Sequence, residues 1–309
     1  MRPVLFSIGP LNVYSYGLMI ALGFIAALII LTHMAKKQGL DPDLVLNMIL
    51  IALVTGLIGA KILYWLTVLP SFIADPGYYL SHPGDGLVIY GGLLAAIPFL
   101  ILYLRRKSQN VWAWFDIIMP AVALGQGIGR IGCFLAGCCY GGATSGSFCV
   151  IFPEGSMAPA GVPLIPTQLL SVALDVIHFA VLMALLRRKK ADGQIMSLYL
   201  IFYSVGRFIL EFFRGDIERG SVGPLSTSQF ISIFTLIAGI MLFVFFTRRG
   251  ELRDPEAEAV NAEDEAEAEA ANAEDGAEAK AEAANAEDEA DAGAEAEAGA
   301  EAANAEDDQ

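Results

Sequence analysis

Three ionisable residues share one face of an apolar segment that begins at Gly206 and reads GRFILEFFRGD. Arg207, Glu211 and Arg214 follow the spacing i, i+4 and i+7, which places all three on one side of a helix. If the segment spans a bilayer, each charge costs about 2.5 to 3.5 kcal/mol, so these residues are candidates for function. A structural ion pair explains Glu211 and one arginine. The second arginine favours anion binding, unless Arg214 reaches the membrane interface.

Arg130 lies in a glycine-rich run, GQGIGRIGCFLAGCCYGG, in which seven of eighteen residues are glycine. This density disfavours an isolated helix and indicates close approach of a ligand or another backbone. Helix packing of the GxxxG type through Gly125 and Gly129 is the apolar alternative. Gly127, Gly129 and Gly132 also match the spacing of a dinucleotide-binding fingerprint. We reject that reading because the motif requires a preceding strand.

Other ionisable residues also fall in or beside apolar segments. Lys61 and Asp175 are embedded in them, so either is a candidate interhelical partner. Asp116 lies near the start of its segment and is expected at the membrane interface. His33 and His178 show no metal-ligand pattern and are read as structural.

The elements that carry these residues follow from composition. Of the 309 residues, 55% are hydrophobic and 17% are charged, which excludes an ordinary soluble enzyme. A spanning helix needs about 20 mostly apolar residues. Seven intervals qualify, approximately 14–35, 45–69, 87–104, 113–136, 166–186, 194–213 and 226–247. The predicted fold class is an all-α polytopic membrane protein with seven transmembrane helices.

Basic residues predict the orientation. Clusters at 36–37, 105–107, 187–190 and 248–249 all fall on one side of the predicted bundle. Cytoplasmic loops retain Lys and Arg, so this side is predicted inside, with the N-terminus outside and the C-terminus cytoplasmic. Positive charge follows the first span and little precedes it, so a cleaved signal peptide is not expected.

Charge also divides the chain into two regions. Residues 1–250, the predicted seven-helix catalytic domain, carry 17 Lys or Arg against 11 Asp or Glu. Residues 251–309 carry 2 against 23 and are rich in Ala, Glu, Asp and Asn. This tail has little to bury and repels itself, so it is predicted to be a disordered, solubilising extension, with docking to a basic partner as the alternative.

The glycine-rich run resembles the signature loop of the bacterial prolipoprotein diacylglyceryl transferase family. Four further resemblances occur in the family's order: FSIGP with YGLM near the N-terminus, YGGL at Tyr90 for the family's HGGL, PTQL at Pro166, and GRFILEFFR at Gly206. The resemblance spans about residues 4–247 and excludes the acidic tail. Seven spans with an outside N-terminus are also what the family has.

The resemblance implies transfer of a diacylglyceryl group from phosphatidylglycerol to the lipobox cysteine of a prolipoprotein, releasing glycerol phosphate. Fixed cations aimed at the departing phosphate assist such chemistry. The implied catalytic residues are Arg130, Arg207, Glu211 and Tyr90. The implied substrate-binding residues are Tyr16, Gly91, Gly92, Gly129, Gly132, Gly141, Gln168 and Arg214.

The resemblance further implies a multi-pass protein of the bacterial inner membrane. Its expected partners are phosphatidylglycerol, a prolipoprotein lipobox peptide and membrane lipids, with no nucleic acid. Neither a cofactor nor a metal is expected, and the protein is expected to be a monomer.

Two charged or polar positions depart from the family pattern. Tyr90 stands where the family has His, which is often proposed as the base that takes the thiol proton. A phenol with a pKa near 10 is a weaker base, although nearby arginines favour the thiolate directly. Lys61 stands where the family commonly has Arg, which keeps the charge and loses the planar fork.

The four cysteines form a third departure, because Cys133 and Cys138 occupy the family's Asn and Glu positions. Cys139 and Cys149 lie in the same predicted outer region. An even count in an oxidising compartment suggests a disulfide of Cys138 or Cys139 with Cys149. Small buried thiols are the second interpretation. Redox or metal chemistry is the third, although C-x4-C-C-x9-C is a poor zinc pattern.

The sequence leaves two other functions open. A family member without transferase activity would bind lipid or act as a scaffold, and the changes at Tyr90, Cys133 and Cys138 favour it. A membrane thiol oxidoreductase would use the cysteines as its active centre. The retained Arg130 and the Arg207 helix favour the transferase.

Overall fold

The computed structural model describes residues 4–8, 11–82, 84–215 and 221–251. Helices dominate these residues, which confirms the all-α membrane fold class. The helices are α1 (Ser15–Lys37), α2 (Leu44–Thr67), α3 (Leu69–Ala74), α4 (Pro76–Ser81), α5 (Ile89–Arg106), α6 (Val111–Ala136), α7 (Thr167–Leu186), α8 (Gln194–Glu211) and α9 (Thr227–Glu251). Apart from Glu251, the acidic tail predicted at 251–309 lies outside the described residues.

Within the described residues, six helices are long and apolar enough to cross a membrane: α1, α2, α5, α6, α7 and α9. The remaining predicted span corresponds to α8, which has 18 residues and carries Arg207 and Glu211. These two charges reduce its hydropathy. The count of seven spans and their orientation stay predictions.

Short strand pairs connect the helices. An antiparallel pair, β1 (Val4–Ile8) and β2 (Leu11–Tyr14), precedes α1. Two smaller antiparallel pairs follow: β3 (Val150–Ile151) with β4 (Pro163–Leu164), and β5 (Ser221–Val222) with β6 (Leu225–Ser226). The second of these three pairs lies between α6 and α7, and the third between α8 and α9.

The packed centre of the bundle is built around α6. Trp114 and Ile117 on α6 are fully buried, together with Leu104 of α5 and Leu182 of α7. A proline inside α6, Pro120, is also buried. This helix packs extensively against both α1 and α7, and therefore links the elements of the site.

The segment after α2 contains two short helices, α3 and α4, where the sequence predicts only a loop. Asp75 caps α4 by accepting a hydrogen bond from the Tyr78 backbone N at 3.1 Å. Lys61 on α2 donates to the backbone oxygen of Asp85 at 2.6 Å, and its Nζ lies 5.0 Å from the Tyr64 ring centroid. Its partner is thus a loop carbonyl and an aromatic ring, rather than an interhelical carboxylate.

Asp116, expected at the membrane interface, is completely buried. Its carboxylate accepts from the backbone N of Gly193 at 2.9 Å and of Met196 at 3.0 Å, at the start of α8. The Lys189 ammonium lies 3.1 Å away. Burial alone lowers the pKa of Lys189, but the carboxylates of Asp116 and Asp192 outweigh it and raise the pKa. The carboxylate thus caps α8 from a neighbouring helix, a contact that sequence position does not reveal. The depth of Asp116 in the membrane stays a prediction.

Candidate active site

A cavity of about 380 Å³ lies between α6, α7 and α8. Its size is within the range of small-molecule sites. The polar or ionisable residues in its lining are Gln126, Arg130, Ser171, Asp175, His178, Tyr203 and Arg207. Apolar side chains complete the walls, and two of them, Ile177 and Phe202, are 58% and 38% exposed. The cavity therefore reaches the apolar surface of the bundle.

Helical periodicity produces this polar lining. On α7, Ser171, Asp175 and His178 are spaced by four and three residues, so they form one stripe on an otherwise apolar helix. The residues of this stripe, with Gln126 and Tyr203, were missing from the predicted site. A search for polar stripes at helical spacing in the apolar segments would have found them.

The structure brings Arg130 of α6 and Arg207 of α8 into the lining of the same cavity. The two guanidinium groups are close enough to repel each other electrostatically. Asp175 of α7 partly balances Arg130. Two fixed cations in one cavity with a single balancing carboxylate in the lining make a site suited to an anion.

Glu211 orients the second of these arginines. Its Oε2 lies 2.7 Å from Nη2 of Arg207 and 3.9 Å from Nε of Arg214. Arg207 Nη2 also donates to Ser228 Oγ of α9 at 2.8 Å. The Arg214 side chain is only 7% exposed, so other protein groups surround it. Its position relative to the membrane interface stays a prediction.

The segment after α6, residues 137–142, is called the cysteine loop. It begins at Gly137, which ends α6 in the left-handed conformation with φ 78°. Thr167 Oγ1 donates to the backbone oxygen of Cys139, and Gln168 Nε2 donates to that of Cys138, each at 2.8 Å. Gln168 is 1% exposed, and its hydrogen bond to Cys138 holds the loop. Its role in substrate binding stays a prediction.

The far end of the cysteine loop is fixed by backbone hydrogen bonds on both sides. The amide of Gly141 donates to the oxygen of Ile165 at 2.9 Å, and the amide of Gly142 donates to the oxygen of Phe213 at 3.0 Å. Gly141 also forms a β-bridge with Arg214. The loop therefore connects the start of α7 with the segment that carries Arg214.

Three cysteines gather at this loop. The Sγ atoms of Cys133, Cys138 and Cys139 all lie within 4.8 Å of one another. Cys149 is outside this group, and the four cysteines, all within the described residues, form no disulfide. The suggested pairing with Cys149 is therefore not formed, because the chain reversal at Gly137 turns the other three thiols toward each other.

The two thiols of the cysteine loop, Cys138 and Cys139, have pKa values shifted in opposite directions. Hydrogen bonds from Cys133 and Cys138, followed by a hydrogen bond from Arg214, lower the pKa of Cys139. The pKa of Cys138 is raised by its hydrogen bonds with Cys133 and Cys139 and by burial. The Cys139 thiol therefore ionises more readily than the Cys138 thiol.

The predicted substrate-binding glycines lie at close contacts between elements. A Cβ at Gly91 would overlap the Gly59 backbone oxygen of α2, and one at Gly92 would approach the Gly56 backbone oxygen to 2.9 Å. These two glycines let α5 pack closely on α2. Their proposed role in substrate binding stays a prediction.

Glycines of α6 make a second close contact, with α1. A Cβ at Gly132 would lie 3.0 Å from the Met19 Cβ and 3.2 Å from the Tyr16 ring. One at Gly129 would lie 3.5 Å from the Ile20 side chain. The packing places Tyr16, another predicted substrate-binding residue, against the C-terminal part of α6.

Tyr90 is not in the cavity lining. It lies in the first turn of α5 and is 41% exposed. The structure thus separates the predicted catalytic residues into Arg130, Arg207 and Glu211, which are at or beside the cavity, and Tyr90, which is outside its lining.

Comparison with known proteins identifies the family of this chain. A family model described as prolipoprotein diacylglyceryl transferase matches residues 3–245. The chain belongs to the prolipoprotein diacylglyceryl transferase family. The match covers the residues of the cavity, the cysteine loop and the Arg207 helix.

Individual members of the prolipoprotein diacylglyceryl transferase family agree with this assignment. A phosphatidylglycerol–prolipoprotein diacylglyceryl transferase of Clostridium tetani is 44% identical over 243 residues, which is 79% of this chain and 97% of the relative. A second such enzyme, from Clostridium perfringens, is 46% identical over 246 residues, 79% and 94% of the two chains. One from Dehalococcoides mccartyi is 34% identical over 255 residues, 82% and 96%.

Proposed function

We infer that this protein transfers the diacylglyceryl group of phosphatidylglycerol to a prolipoprotein cysteine thiol and releases glycerol phosphate. The observation that carries the inference is the pair of cations, Arg130 and Arg207, in the lining of one cavity. The names of the relatives from both Clostridium species describe this activity and support the inference.

The charges of the cavity suit the bond that breaks. A thiolate attacks the glyceryl carbon next to the phosphate, a C–S bond forms, and the C–O bond to the phosphate breaks. Negative charge grows on the departing glycerol phosphate. Arg130 and Arg207, fixed in a site of low dielectric constant, stabilise that charge more in the transition state than in the substrate.

The size and surface of the cavity suit one part of the lipid. About 380 Å³ holds a phosphoglycerol headgroup and the glyceryl carbons, and it is too small for two acyl chains as well. The exposed apolar side chains of Ile177 and Phe202 line the cavity where the acyl chains would continue into the bilayer. The reacting carbon then lies at the boundary between the arginines and the lipid.

We extend the proposal to the acceptor, the oligomeric state and the cellular location. The acceptor is the cysteine of a lipobox peptide, the protein is a monomer in the bacterial inner membrane, and its catalytic domain covers residues 1–250. The end of the family match at residue 245 supports a separate role for the acidic segment 251–309. We assign that segment a solubilising role on the cytoplasmic side.

The test uses the full-length protein in detergent with phosphatidylglycerol and a lipobox peptide. Mass spectrometry should show the peptide gaining a diacylglyceryl group in step with the release of glycerol phosphate. A peptide with Ser in place of the Cys is the matched control and should gain nothing. Folded protein that binds the lipid and makes no product would support a family member without transferase activity.

A further inference from the structure

We propose that Cys133, Cys138 and Cys139 form a three-thiolate Zn²⁺ site whose fourth coordination position takes the acceptor cysteine thiol. The three Sγ atoms lie within 4.8 Å of one another. A tetrahedral zinc ion with Zn–S bonds of about 2.3 Å separates its sulfur ligands by about 3.8 Å, so small side-chain rotations suffice. The second part of the proposal rests on the transferase function.

The chain reversal at Gly137 explains why the sequence spacing conceals this site. Zinc sites with short cysteine spacing commonly use C-x2-C, whereas these ligands are separated by five and six positions. The amides of Gly137 and Cys138 both return to the backbone oxygen of Cys133, at 2.9 and 3.1 Å. The chain therefore folds back over the last turn of α6, and Cys139 follows with a φ of 61°.

The site is held by groups outside it. Thr167 and Gln168 fix the backbone oxygens of Cys139 and Cys138 from the start of α7. Gly141 and Gly142 fix the end of the loop from two other segments. A metal ion that binds three thiols already placed by the fold does not need to order the loop, which favours tight binding.

The surroundings of the thiols suit a metal with three negative ligands. Arg130 interacts electrostatically with Cys133 and Cys139, and Arg214 interacts with Cys139. These cations offset the net negative charge of a zinc ion with three thiolates. Three soft sulfur ligands select Zn²⁺ or Cu⁺ over Mg²⁺ or Ca²⁺, and Zn²⁺ is favoured because it retains a fourth position.

The fourth position gives the site its chemical role. Among the described residues, no histidine or carboxylate joins the three thiols. A zinc site with three protein ligands keeps its fourth position for water or substrate, and a thiol bound there is deprotonated. Cys138 and Cys139 are only partly buried, so a peptide thiol has a route to the ion.

The transfer step breaks the acceptor S–H bond and the C–O bond to phosphate, and it forms one C–S bond. The acceptor S–H bond breaks when the thiol displaces zinc-bound water, and that water, or the solvent, carries the proton away. The thiolate forms a C–S bond with the glyceryl carbon as the C–O bond to phosphate breaks. The electron pair of that C–O bond leaves with glycerol phosphate beside the arginines. The thioether product is a weaker zinc ligand and dissociates. No oxidant or reductant takes part.

The proposed zinc ion explains how the acceptor thiol can ionise in a chain that has Tyr90 in place of the family's histidine. The residue that stands in the position of the family's histidine is a tyrosine, and its phenol is a weak base. A zinc ion that ionises the acceptor thiol removes the need for a strong base at that position.

The first test measures metal in the full-length protein purified in detergent without added chelator. Elemental analysis should give about one zinc per chain in the wild type, a stoichiometry expected of a three-thiolate site. Cys133→Ser, Cys138→Ser and Cys139→Ser should each lose most of it. Cys149→Ser is the matched control and should retain it, because Cys149 lies outside the group. Thermal unfolding of each variant shows which of them are folded.

The second test needs no variant. Wild-type protein exchanged to Co²⁺ should show strong thiolate-to-metal absorption. A lipobox peptide should change the visible bands, whereas its Cys→Ser form should not. The metal site would be overturned if the wild type contained no stoichiometric metal. It would also be overturned if folded Cys138→Ser and folded Cys139→Ser both kept the metal. A cobalt spectrum insensitive to the thiol peptide would overturn the role of the fourth position.

The two accounts can fail separately. Metal-free wild type that transfers diacylglyceryl at the full rate would contradict the zinc proposal and leave the transferase function standing. The opposite result is a cobalt form that responds to the thiol peptide and a zinc form that makes no thioether product. That result would contradict the transferase function and leave the metal site standing.

Discussion

Glu211 and Arg207 form an ion pair one turn apart on α8, with Oε2 and Nη2 separated by 2.7 Å. Both side chains are about nine-tenths buried. Because the same Nη2 also donates to Ser228 of α9, the guanidinium is held from two sides before any substrate arrives. Arg207 therefore presents a fixed charge to the cavity, and Glu211 acts as a positioning residue.

Glu211→Gln should lower the turnover number by at least about tenfold and change KM by less than about threefold, because orientation of Arg207 matters most in the transition state. Steady-state kinetics with phosphatidylglycerol and a lipobox peptide measure both constants. Glu154→Gln, at an exposed loop position, is the control and should be unchanged. A Glu211→Gln protein with wild-type turnover would exclude the positioning role.

The helices and the spacing of Arg207, Glu211 and Arg214 were predictable, because long apolar segments and helical periodicity are local properties of a sequence. The start of α1 was placed within one residue, and α8 was predicted to begin where it does. What could not be predicted depends on contacts between distant segments. The capping of α8 by Asp116 and the bond from Lys61 to a carbonyl 24 residues away are examples.

The cysteine cluster likewise depends on a contact that the spacing of the cysteines in the sequence does not reveal. Counting residues between cysteines suggested a disulfide with Cys149 and argued against a metal. The left-handed turn at Gly137 reverses the chain and brings Cys133 to Cys138 and Cys139. A glycine directly before two cysteines was the available signal, since glycine commonly ends a helix in this conformation.

Gly141→Ala should destabilise the protein by about 1 to 3 kcal/mol and reduce transfer, because its new Cβ would lie 2.6 Å from the Ile165 oxygen and 2.7 Å from the Phe213 oxygen. These atoms belong to the backbone and cannot rotate away. Thermal unfolding in detergent measures the effect. Gly142→Ala is the neighbouring control, with nothing within 4 Å of the added Cβ, and should unfold like the wild type. Equal unfolding temperatures for both variants would contradict the packing of the loop.

Asp116→Asn should lower the free energy of unfolding by about 3 kcal/mol, because it leaves the Lys189 ammonium without its buried partner and weakens the cap of α8. Denaturant or thermal unfolding of the purified protein is the measurement. Asp43→Asn, at an exposed position before α2, should have little effect. If the two variants are equally stable, Asp116 contributes no more than a surface carboxylate.

Tyr90→Phe should slow transfer by less than about tenfold, whereas removal of a principal general base costs about 10² to 10⁴ in rate. The expectation follows from its place outside the cavity lining. Initial rates of thioether formation provide the comparison. A rate equal to that of the wild type would show that the Tyr90 hydroxyl takes no part in the reaction. A loss of a hundredfold or more would show that Tyr90 is the principal base.

We expect Arg130, together with Arg207, to stabilise the phosphate that leaves during diacylglyceryl transfer. The most direct measurement compares glycerol phosphate release and peptide mass gain for wild type, Arg130→Ala, Arg130→Lys and Arg105→Ala at matched amounts of folded protein. Arg130→Ala should lose at least about a hundredfold in rate, Arg130→Lys should recover part of it, and Arg105→Ala, at an exposed residue of α5, should match the wild type. An Arg130→Ala protein that keeps more than about half of the wild-type rate would contradict the phosphate-site account, since a single oxyanion donor typically contributes far more than that.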